Sequence, residues 1–175
     1  MRILAPLCCV LVLSATLSAT TFLPLSFEQL VDNSSLVLYG RVVDVHPQWT
    51  EDRRFIESVV SMDVLRGMKG SAGERIVFTV PGGQVGRYLN VIPGAPVFAV
   101  GDQAVVFLTA SGARLPVTTG LAQGVYRVQR DTSSESWLVV PPPIDAAGRI
   151  VRGDARRKPV PIAMFEASVR AAAMR

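Results

Sequence analysis

Ser35-Leu-Val-Leu-Tyr-Gly-Arg-Val-Val-Asp-Val-His46 is the stretch whose reading decides the fold. It is rich in β-branched and aromatic residues, and too short and uncharged to be an amphipathic helix. Its apolar positions change parity partway along. Leu36 and Leu38 lie on one face of an extended chain, yet beyond Gly40 the polar Asp44 and His46 occupy that parity. Val43 and Val45 take over the apolar role. A one-residue bulge or sharp bend at Gly40 restores a single buried face. Long strands that bend at a glycine are how a small β-barrel turns its corners.

Outward from this strand, the flanking segments read as further short elements. Ser26–Asn33 predicts a short helix, with Ser26 as its cap, Gln29 closing a capping box, and Phe27, Leu30 and Val31 as the apolar stripe. Pro47 is expected to end the opening strand, and the loop 48–53 is polar apart from Trp49. Phe55–Leu65 alternates, with Ile56, Val60, Met62 and Val64 on one face and Glu57, Ser61 and Asp63 on the other. Arg75–Val80 predicts a third strand, stopped by Pro81-Gly82-Gly83, and 86–92 a short fourth. Val97–Val100 reads as extended. Ala104–Thr109 is apolar on both faces, which predicts a central strand covered on both sides. Gly124–Arg130 and Ser136–Val140 predict a hairpin, and 161–173 a terminal helix docking through Ile162, Phe165 and Val169. Short strands at regular spacing with Gly and Pro turns favour a barrel over an α/β fold.

Residues 1–19 read as a secretory signal peptide: Arg2 as n-region, Ile3–Leu17 as apolar core, and small residues before a cut ahead of Thr20. The rival, a retained anchor, needs roughly 18 apolar residues to span a bilayer, and this run falls short. Cys8 and Cys9 both lie in the signal, so the mature chain is expected to hold no disulfide, thiolate nucleophile or cysteine-ligated metal. The expected division is signal peptide 1–19, barrel 20–143, linker 144–160 and helix 161–175. Loss of Arg2 lowers the formal charge from +4 to +3. Residues 149–175 carry seven Arg or Lys against Asp154 and Glu166, a balance of +5 that leaves −2 for 20–148. Such a basic tail solvates a linker, and export argues against a nucleic-acid partner.

Few residues pattern as chemistry. His46 is the sole histidine, with Asp44 two residues earlier on the same face, but a metal site needs at least one further ligand. No Gly-x-Ser-x-Gly elbow is present, and Glu51-Asp52 and Glu57/Asp63 read as solvated charge rather than a glycosidase pair. Pro81–Gly86 follows a strand without the helix or Lys-Ser/Thr pair that a phosphate cradle requires. Gly120-Leu121-Ala122-Gln123-Gly124 brackets one leucine and one amide between two β segments. It reads either as a tight connection burying Leu121 or as a loop presenting Gln123 to a partner. No catalytic, cofactor-binding or metal residue is assigned, and no cofactor is expected.

Several runs together carry a resemblance: Ser35-Leu-Val-Leu-Tyr-Gly-Arg-Val-Val43, Val64-Leu-Arg-Gly-Met-Lys-Gly70, Ile76-Val-Phe-Thr-Val-Pro-Gly-Gly83, Gly94-Ala-Pro-Val-Phe98 with Gly101-Asp102, and Gly120–Gly124 leading into Tyr126-Arg127-Val128. Over about residues 26–140 the chain resembles a group of exported, poorly characterised bacterial proteins. In pattern it is distantly similar to the netrin-like OB barrel of the tissue inhibitors of metalloproteinases. Those inhibitors use an N-terminal cysteine and many disulfides, so their mechanism carries over to no residue here. The resemblance implies a mainly β protein: a small OB-like (netrin-like) barrel with a short N-terminal and a C-terminal helix. The expected function is non-catalytic binding of a protein, peptide or glycan in the cell envelope or extracellular space. The alternatives are a metalloprotease inhibitor or accessory protein without the cysteine mechanism, and a hydrolase with an unrecognised site.

Overall fold

The computed structural model describes residues 24–110, 112–132, 135–142 and 158–175. The expected signal peptide and residues 144–157 of the expected linker lie outside them. The fold is mainly β, built on a closed five-stranded barrel with one short helix before it and one helix at the C-terminus.

Helix α1 (Phe27–Asp32) starts on the predicted capping box: Ser26 Oγ accepts from the Gln29 amide, and Gln29 Oε1 accepts from the Ser26 amide. Strands β1 (Leu36–Trp49) and β2 (Ile56–Lys69) form a long antiparallel hairpin, and β3 (Arg75–Pro81) continues the meander. A small hairpin follows, β4 (Gly83–Val85) with β5 (Tyr88–Asn90). This replaces the single strand expected over 86–92, because Gly86 adopts a left-handed φ of 57° and turns the chain back on itself. Val97–Val100 joins no strand. Phe98 there is buried against Phe78, and Arg127 fastens the segment by pairing with Asp102 at 2.6 Å and hydrogen-bonding the Val97 carbonyl.

Strand β6 (Gln103–Thr109) pairs with β1 along one side. Along the other it meets first β8 (Val125–Arg130) and then β7 (Val117–Thr118). β7 and β8 are thus one barrel strand interrupted by a 3-10 turn, Leu121–Gly124. The ring closes as β1-β2-β3-β7-β6 and back to β1, with β3 and β7 parallel through the single pair Thr79↔Val117. Outside the ring, β9 (Trp137–Val140) pairs with β8, and β10 (Val160–Pro161) with β9.

Two cores follow from the alternation. Leu38, Val42, Val60, Met62, Phe78, Val106 and Leu108 fill the barrel. Val37, Val105, Phe107, Tyr126 and Val139 point outward and are capped by α1 and by α2 (Ile162–Ala173), whose Phe165, Val169 and Ala172 are buried. β6 is covered on both faces, as its composition predicts.

The opening strand departs from its reading in two ways. The pairing does shift at Tyr39/Gly40, but there the extra residue is Leu65 of β2. The parity of β1 itself changes at Val43, where the register jumps between Val42 and Asp44, so Val42 is the buried valine and Gly40 still faces inward. Gly40 serves another purpose: a Cβ there would lie 2.5 Å from the Asp63 carbonyl oxygen. Pro47 does not end β1. Pairing with β6 stops at Arg41, so Pro47 sits where β1 has only β2 beside it in this sheet, a position that admits proline.

Candidate functional site

The β1–β2 hairpin ends in a tight loop, 50–55, whose shape is set by its own polar groups. Thr50 Oγ1 donates to Asp52 Oδ1 at 2.6 Å and accepts from the Phe55 amide at 3.2 Å. The Arg54 amide also donates to Asp52. The Thr50 hydroxyl, then the Arg54 amide, hold the Asp52 carboxyl below the usual carboxylate range. Arg53 takes a left-handed φ of 55°, so the turn is sharp and leaves Phe55 outside, 53% exposed.

Beneath this loop the barrel has a mouth. A cavity of about 410 Å³ is lined by Phe55 and Ile56 from β2's start, Val80 and Pro81 from β3's end, Ile92 after β5, Val117 and Thr118 of β7, and Leu121 of the 3-10 turn. Its walls are mainly apolar, with Thr50, Glu57, Thr79 and Asn90 as polar members. Thr118 stands opposite Leu108 in the β6–β7 pair, and Leu108 belongs to the barrel core, so the threonine side chain faces inward. Its Oγ1 is buried with no hydrogen-bond partner among the described residues. An orphaned buried hydroxyl costs about 1–3 kcal/mol, and native proteins keep few of them.

Next to the mouth, sharing Thr50 as a wall, lies a second, open hollow lined by Trp49, Glu51, Arg53 and Tyr88. The Trp49 and Tyr88 rings meet edge to face, centroids 5.5 Å apart, and Arg87 lies 5.2 Å from the Tyr88 ring. Leu89 and Val91 continue the exposed apolar surface along the small hairpin. A mainly apolar cavity with few polar groups is the usual form of a ligand site.

Of the residues singled out from sequence, Glu57, Pro81 and Leu121 line the mouth and Glu51 the outer hollow, and the others lie elsewhere. Asp44 and His46 are exposed on β1, and no three His, Cys, Asp or Glu side chains converge among the described residues. Asp63 pairs with Arg75 at 2.7 Å, and Glu57 accepts from Gln48. In 120–124, Gly120 is left-handed at φ 64°, and Gly124 has no room for a side chain, a Cβ there falling 2.2 Å from the Thr119 carbonyl oxygen. Gln123 turns toward the N-terminal segment, its Oε1 accepting from the Leu25 amide at 2.8 Å. Within this segment Leu121 alone is placed on the mouth; Ala122 contributes its amide to the Gly94 carbonyl. Trp49 with Phe55, Tyr88 and Thr118 escape a motif search because they come from three separate segments. The legible signal is the aromatic pair flanking a short polar loop, Trp49 before it and Phe55 after it.

No family model, curated protein or solved structure matches the chain.

Proposed function

We propose that the chain is an exported, non-catalytic binding module of the cell envelope or extracellular space, and that its ligand enters the barrel mouth beneath the 50–55 loop. The observation that carries this reading is the juxtaposition of a mainly apolar cavity with exposed aromatic side chains at its rim. The hydrated apolar area costs the isolated molecule free energy, and a bound partner that covers it removes that cost. Export rests on the apolar, cysteine-bearing stretch 1–19 and its small-residue end.

The test uses two readouts. Intact-mass measurement on fractionated cells checks whether the exported form lacks residues 1–19. Retention of the protein on washed envelope preparations checks binding, with Trp49→Ala and Val117→Trp as variants that spoil the rim or fill the mouth. Retention that falls in both variants at unchanged melting temperature is expected. Retention indifferent to both removes the mouth as the binding site.

A further inference from the structure

The two adjoining hollows differ in chemistry, and the difference defines a ligand class. The outer hollow presents one carboxylate, Glu51, and one guanidinium, Arg53, beside the contacting Trp49 and Tyr88 rings. Neither Glu51 nor Arg53 is engaged through its side chain by another described residue. A singly charged headgroup is attracted by one of these two groups and repelled by the other, whereas hydroxyl groups can donate to the carboxylate and accept from the guanidinium with no opposing term. Aromatic faces suit the C–H faces of a sugar ring. The inner hollow is mainly apolar, and the buried Thr118 hydroxyl beside it is closed off from its space. It suits a short hydrocarbon chain.

We propose that the site binds an uncharged saccharide carrying an aliphatic chain, sugar on the Trp49–Tyr88 ledge and chain in the barrel mouth. This rests on the mouth being the ligand site, as proposed above.

The test titrates the protein, isolated from cells expressing the full chain, with octyl β-glucoside below its micellar concentration, and in parallel with glucose and with octyl sulfate. Backbone amide shifts of Val117 and Thr118 and the indole N–H of Trp49 report occupancy. Octyl β-glucoside is expected to saturate these signals at a concentration at least about tenfold lower than either comparison ligand. Trp49→Ala and Val117→Trp should each weaken it about tenfold, the scale of a lost aromatic contact or a blocked chain. Should either variant fail to fold, Arg53→Ala on the exposed loop carries the test, with a smaller loss expected. Three results overturn the proposal: no saturable shift with octyl β-glucoside, octyl sulfate binding equally well, or affinity unaltered in every folded variant. If those results come while envelope retention still depends on Trp49, the ligand class falls and the binding reading stands. If retention is also indifferent, both fall.

Discussion

At Gly40 the two strands of the hairpin come too close for any side chain. A Cβ would sit 2.5 Å from the Asp63 carbonyl oxygen and 2.6 Å from Met62 Cγ. The constraint is steric, since φ there is not left-handed. Gly40→Val is therefore expected to cost about 1–3 kcal/mol by overpacking, seen as a lowered melting temperature; an unshifted one would remove the close-approach account. Thr118→Val should run the other way. It replaces an unpartnered buried hydroxyl by a methyl group, so equilibrium denaturation should show a change between neutral and about 1 kcal/mol of added stability. A clear loss would mean that the hydroxyl is satisfied in solution. Tyr39 gives a pH dependence. Burial raises its phenol above the ordinary value, with Arg41 and Arg66 opposing, and its hydroxyl donates to Gln103. A raised folded-state value favours the neutral phenol in the native state. The stabilisation is present below about pH 10 and lost as pH climbs beyond it. The stability gap between the protein and Tyr39→Phe should accordingly narrow in alkaline titrations.

At the scale of elements, the terminal helix shows what attaches secondary structure to the barrel. Phe165 lies in a group of rings, its centroid 5.5 Å from Phe27, 6.3 Å from Phe107 and 5.0 Å from Tyr126. Phe165→Ala should cost about 3–5 kcal/mol through lost burial and a cavity. The Arg66–Glu166 pair at 2.9 Å looks comparable on paper, but the Arg66 side chain is half exposed. Arg66→Ala should cost under about 1 kcal/mol and less in high salt. The same contrast explains what the chain discloses in one dimension. The stripe Phe165 and Val169 and the box Ser26–Gln29 are local patterns, so both helices were legible. β6 was legible because its apolar residues leave no polar face. The bulge in β1 was not located correctly because Val42 and Val43 are the same residue type, and only pairing with Met62 and Ser61 shows which is the extra one. The β4–β5 hairpin was missed because its turn is fixed by the φ of Gly86, which composition leaves open.

For the whole molecule, the candidate site was far less legible than the fold, because the mouth draws its wall from β2, β3, β7, the segment after β5 and the 3-10 turn, and only closure of the ring unites them. The proposed export gives a prediction at this scale: the mature form should be lighter than the full chain by about two kilodaltons, the mass of a short signal segment, as read by intact-mass measurement. The way the ring closes has a further consequence. Among the described residues, Thr79 and Val117 are the only registered partners joining β3 to β7, supported by the Thr79 amide donating to the Pro116 carbonyl at 2.9 Å. Twelve registered positions hold β1 to β2 by contrast. The barrel is a cylinder with a seam, and a seam this short is expected to open before the rest of the ring. Amide hydrogens at Thr79 and Thr118 should exchange with deuterium through partial opening, well before those at the centre of the β1–β2 hairpin. Because Thr79, Val117 and Thr118 all line the mouth, a ligand seated there would span the seam and clamp it. Occupancy would then register as slowed deuterium uptake along β3 and β7, even where no atom of the barrel changes place.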